Sequence, residues 1–92
     1  MKTFFIIERA TGRKFRNYVK SRGIYVDTWI GKGATTRVMN KNNLHETHDA
    51  VPVDEYQPVM VERINLQSGK PFMEDINTPA HCSPASERYW TM

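Results

Sequence analysis

Gly23-Ile-Tyr-Val-Asp-Thr-Trp-Ile-Gly-Lys-Gly-Ala-Thr-Thr-Arg-Val38 is the stretch whose reading decides the fold. Ile24, Val26, Thr28 and Ile30 alternate with Tyr25, Asp27 and Trp29, the period of two that marks a half-buried strand. Gly31-Lys32-Gly33 offers a turn, because a residue without a Cβ takes φ > 0 freely. Ala34–Val38, rich in Thr and Val, then reads as the returning strand. The segment predicts a β-hairpin.

Toward the N-terminus, Thr3–Glu8 predicts a first strand. Phe4 and Ile6 lie on one face and Phe5 and Ile7 on the other, so both faces are apolar, as suits a covered strand. Ala10-Thr11-Gly12-Arg13 is a turn signal. Lys14–Lys20 predicts a second strand that projects Lys14, Arg16, Tyr18 and Lys20 from one face. Ser21-Arg22-Gly23 turns the chain into the hairpin. Short connections make an antiparallel meander the expected topology of residues 1–39.

Toward the C-terminus, Asn40–Asn43 interrupts the pattern. Asn43 suits an N-cap, and Leu44, His48 and Val51 at i, i+4 and i+7 predict a short helix over 43–51 that Pro52 ends. Val53–Gln57 is an acidic loop. Residues 58–73 read as a strand, a turn at Gln67–Lys70 and a short edge strand at Pro71–Met73. In the tail, 74–92, Ser83 as N-cap and Pro84 at the first helical position predict a short helix. It carries Tyr89 and Trp90, an aromatic pair expected to dock on the sheet. The fold class is therefore α+β: one antiparallel sheet of about five strands with one or two short helices.

The chain has 92 residues, which predicts a single domain with a small core. A homodimer, or a partner covering one face, would enlarge that core. The lone Cys82 allows no internal disulfide and fits a cytoplasmic location. The apolar start Phe4–Ile7 stops at Glu8-Arg9, short of the about 7–15 residues of a signal core, and no run is long enough to span a membrane. Charge is unevenly placed. Residues 1–44 carry ten Lys/Arg against two acids, net +8, and residues 45–92 carry three against eight, net −5. One basic and one acidic surface follow, unless the two halves pair with each other.

Several constellations resemble chemical motifs. In His45-Glu46-Thr47-His48 the histidines stand at i, i+3 rather than the i, i+4 of a zinc-protease helix. His81 and Cys82 would have to complete a set of four, and adjacent ligands point to opposite faces of an extended chain. A solvated pair of histidines is the better reading, and no metal or cofactor is expected. His81-Cys82 lacks the third, orienting group of a thiolate–imidazole catalyst. Gly31-Lys32-Gly33 and Gly69-Lys70-Pro71 both lack the Ser/Thr that follows lysine in a phosphate loop. Asp54-Glu55 and Glu74-Asp75 read as solvated acids in loops. No enzymatic activity is expected.

The informative pattern is basic residues interleaved with aromatics: Arg13, Lys14, Arg16, Tyr18, Lys20 and Arg22, then Tyr25, Trp29, Lys32 and Arg37. Cations meet phosphates and rings stack on bases, so such a face suits nucleic acid. Aromatics and Arg also dominate protein interfaces, and complementary charge steers association.

Met1–Arg9, the segment Tyr25–Gly33 and the ending Ser83–Met92 together resemble small accessory proteins of tailed bacteriophages, of the host-takeover or anti-defence type. The resemblance implies a non-catalytic protein that engages and inhibits or redirects a host protein inside the host cell. Binding of nucleic acid is the alternative it implies. It carries no defined motif and no site residue.

Overall fold

Phe5 and Ile6 are neighbours on one strand, so they point to opposite faces, and both are buried. That strand, β1 (Thr3–Glu8), is the middle of a three-stranded antiparallel sheet. The structure is a computed structural model and describes residues 2–91. β2 (Asn17–Val19) and β3 (Ile24–Val26) form a separate two-stranded ribbon. β4 (Trp29–Ile30) pairs with one edge of β1, and β5 (His48–Pro52) with the other. A ten-residue helix, α1 (Lys32–Lys41), packs against β1, β4 and β5. Beyond a 3-10 turn at Val53–Glu55, β6 (Met60–Ile64) and β7 (Pro71–Asp75) make a second ribbon. A 3-10 turn at Ala80–Cys82 and α2 (Glu87–Trp90) follow. The fold is α+β with antiparallel pairing throughout. It comprises two compact units, Met1–Gln57 and Pro58–Met92.

The expected single five-stranded meander is replaced by sheets of three, two and two strands. Three local departures explain this. First, Asp27-Thr28 breaks the strand expected over Ile24–Ile30, so β3 joins β2 while β4 crosses to β1. Second, Ala34–Val38 is helix, not a returning strand, and Gly31-Lys32-Gly33 is a strand-to-helix junction, not a hairpin turn. Gly31, at φ 85°, is the N-cap residue, and its N–H donates to the Lys2 carbonyl at 2.8 Å. The helix has no side-chain cap and no acid in its first turn, so no local start signal marks it. Packing supplies what β-branched Thr35, Thr36 and Val38 lack in propensity: Thr35 and Met39, at i and i+4, are its buried residues. The Thr35 hydroxyl donates to the Gly31 carbonyl at 2.9 Å, which satisfies it inside the core.

Third, residues 43–51 are not a helix. Asn43 ends α1 instead of starting a new one. It sits in the left-handed region at φ 56°. Its N–H donates to the Asn40 carbonyl, and Leu44 N–H donates to the Met39 carbonyl at 2.8 Å. These are the two bonds of a Schellman termination. The chain then reverses into β5, whose Val51 lies opposite Phe5 and whose Ala50 lies opposite Ile6. Pairing along the open edge of β1 wins over a weak helical period.

The register assigns the core. Trp29 lies opposite Phe4 and His48 opposite Glu8, so both share the face that carries Ile6. Phe15 joins them there, stacked on Trp29 with centroids 6.3 Å apart and edge-on to His48 at the same separation. On the opposite face, Phe5 packs edge-on to Tyr56 at 5.1 Å.

In Pro58–Met92 the tail helix starts later than expected. Ser86, not Ser83, is its N-cap, and the Ser86 hydroxyl accepts from Arg88 N–H. Ser83 is instead buried, and its hydroxyl donates to Glu74 at 2.7 Å. Trp90 anchors locally: its indole N–H donates to the Pro84 carbonyl at 2.7 Å, and Tyr89 meets it edge-on at 4.7 Å.

Candidate functional site

The β2–β3 ribbon collects part of the expected basic and aromatic face. Tyr18 and Tyr25 are directly opposite each other, so their rings emerge on one side, 5.1 Å apart. They are 51% and 64% exposed, well beyond what a core pair would be. Arg16 lies two residues before Tyr18, and its guanidinium sits over the Tyr25 ring at 5.2 Å. Lys20 and Arg22 are exposed at the ribbon's tip. The tip is a tight turn in which Arg22 and Gly23 N–H groups both donate to the Val19 carbonyl, and Gly23 adopts φ 64°. The result is a Tyr–Tyr–Arg patch with two further cations at its end.

Other residues expected on that face lie elsewhere. Lys14 bridges to Ile7 of β1, and its ammonium lies 4.0 Å from the Phe5 ring centroid and 4.9 Å from that of Tyr56. It therefore supports the fold from within. Trp29 faces the Ile6 core, because the crossing at Asp27-Thr28 carries it out of the ribbon. Arg13 lies in the turn after β1, where its carbonyl accepts from Glu8 N–H. Lys32 and Arg37 are exposed on α1.

The charge asymmetry softens in three dimensions. Asp49 pairs with Arg9 at 3.8 Å and Glu55 with Lys2 at 3.7 Å, and Arg9 also donates to the Glu46 carbonyl. Met1–Gln57 thus carries ten Lys/Arg against six acids, net +4, and Pro58–Met92 three against four, net −1. Among the described residues no acid forms an ion pair with Arg16, Lys20 or Arg22.

No protein-family model, curated protein or solved structure matches this chain. The site must be read from its own geometry. Among the described residues no group of three or more His, Cys, Asp or Glu side chains is placed to hold a metal ion. His48 is half-buried against Phe15, with Nδ1 2.7 Å from the Thr47 hydroxyl; His45 is exposed, and His81 and Cys82 are exposed in a 3-10 turn. Among the described residues no helix is long and apolar enough to cross a membrane.

A second exposed surface escapes sequence reasoning. Met60, Ile64 and Leu66 are each about half exposed, at 50%, 50% and 52%. The sequence of β6 alternates only imperfectly, and which row faces inward is not legible in it. The inward row contains Arg63, whose Nε lies 3.3 Å from the Glu74 carboxylate. Only the pairing of β6 with β7 reveals that this charged pair is interior.

Proposed function

We propose that this chain is a non-enzymatic binding protein that engages a host protein through the β2–β3 ribbon and inhibits or redirects it. The observation that carries this reading is the consolidated patch of Arg16, Tyr18 and Tyr25. Tyr and Arg combine large contact area with few rotatable bonds and dominate interface hot spots. With Arg16 across one face of Tyr25 and Tyr18 at its side, the rings form a continuous surface rather than separate platforms. The target offers an acidic rim to Lys20 and Arg22. The phage resemblance supplies the host context.

Nuclease-treated bacterial lysate passed over the immobilised chain tests this. A stoichiometric partner is expected, and Tyr25→Ala or Arg16→Ala should weaken its capture by roughly 10-fold or more. Capture of nothing, or capture indifferent to both substitutions, refutes the reading.

A second reading, nucleic-acid binding, is favoured by the unpaired cations at the ribbon's tip. It predicts salt-sensitive binding of a single-stranded oligonucleotide, with the salt slope falling by about 1 for each of Lys20→Ala and Arg22→Ala. No binding at low salt removes it.

A further inference from the structure

The β6–β7 ribbon turns Met60, Ile64 and Met73 outward. Residues opposite each other in an antiparallel pair share a face, so Glu62 and Met73 lie with Met60 and Ile64 on one side. Val61, Arg63, Phe72 and Glu74 lie on the other side, which faces in: the Glu74 side chain is 11% exposed. Met73 on the outer side is 58% exposed. Among the described residues of Pro58–Met92, no apolar residue is buried, and Ser83, at 5% exposed, is the one buried residue. A two-stranded ribbon is marginal in water, and units below about 40 residues usually need disulfides, metals or oligomerisation. Cys82 is a free thiol, and no metal-binding cluster exists among the described residues. An outward apolar row in such a unit marks a contact surface.

Charge selects the occupant. Glu62 sits in the middle of the row, exposed and without an ion pair among the described residues. A complementary surface combines exposed rings with cations. The β2–β3 ribbon has that composition: Tyr18, Tyr25, Arg16 and Lys20. We infer that the outer face of β6–β7 in one copy binds the β2–β3 ribbon of a second copy. Methionine thioethers pack favourably on tyrosine rings, and Glu62 meets Arg16 or Lys20. The contact joins two different patches, and every copy carries both. Self-association would then cover the patch assigned above to the target, so target and second copy compete. The inference does not rest on the target, because it concerns the purified chain alone.

Sedimentation velocity of the purified chain at concentrations up to about 1 mM tests it. The sedimentation coefficient is expected to rise with concentration at low salt and to fall as NaCl screens the contact. The paired reversal Arg16→Glu with Lys20→Glu, and separately Glu62→Lys, should each weaken association at least about tenfold. Mixing the two variants should restore it, because each reversed patch then meets its reversed complement. All three changes lie on exposed side chains, and far-UV circular dichroism checks that both variants remain folded. A monomer at every concentration overturns the inference. So does failure of the mixture to recover. So does association that survives both reversals but is lost in Ile64→Ser, which would seat the apolar row against its own equivalent.

Discussion

Asn43 offers a sharp test of how α1 ends. As the residue that closes a Schellman motif at φ 56°, it must tolerate the left-handed region. Replacement by threonine brings a β-branched side chain into a conformation that costs about 1–2 kcal/mol for an ordinary residue. Replacement by glycine removes that cost and should leave the protein as stable, or stabilise it by up to about 1 kcal/mol. An N-cap at the same position predicts a different pattern. Threonine would be nearly neutral there, and glycine would cost a few tenths of a kcal/mol. Urea denaturation followed by circular dichroism at 222 nm separates the two, because α1 is the longest helix. For a protein of this size the threonine variant should melt roughly 5–15 °C lower. A threonine variant within about 0.5 kcal/mol of wild type would refute the assignment of Asn43 as a helix terminator.

Other substitutions probe the remaining assignments. Ile6 is fully buried beside Phe15 and Trp29, so Ile6→Ala should cost about 2–5 kcal/mol in the same unfolding assay, and a cost below about 1 would contradict its central position. Lys14→Gln should remove about 0.5–2 kcal/mol of cation–π stabilisation while leaving target capture unchanged. A loss of capture matching that of Arg16→Ala would return Lys14 to the binding face. Glu74→Ala leaves Arg63 without its carboxylate and Ser83 without its acceptor, and should destabilise Pro58–Met92 by about 2–3 kcal/mol. Limited proteolysis of the 58–92 segment reads this locally, and unchanged cleavage would contradict a structural role for the pair.

Part of the Tyr–Tyr–Arg patch is legible in the residues alone. Arg16 and Tyr18 lie on one face because strand geometry places every second side chain together, whereas Tyr25 joins them only through the pairing of β2 with β3. β1 is legible for the same reason, since the five apolar or β-forming residues Thr3–Ile7 in a row have few alternatives. The withdrawal of Lys14 and Trp29 is not legible. Both depend on which strand pairs with β1, and that competition is settled by burial of Ile6 and Phe5 rather than by local preference.

The clearest divide falls at Gly31–Asn43. Its Gly-Lys-Gly and its Thr-Thr-Arg-Val speak locally for a turn and a strand, and no cap or first-turn acid argues otherwise. Tertiary packing makes it a helix, because Thr35 and Met39 gain a sheet to cover only at helical spacing. Residue order thus settles the alternating faces of a single strand. Which segment pairs with which, and which row of β6–β7 meets water, is decided only when distant apolar and charged groups compete for the same small interior.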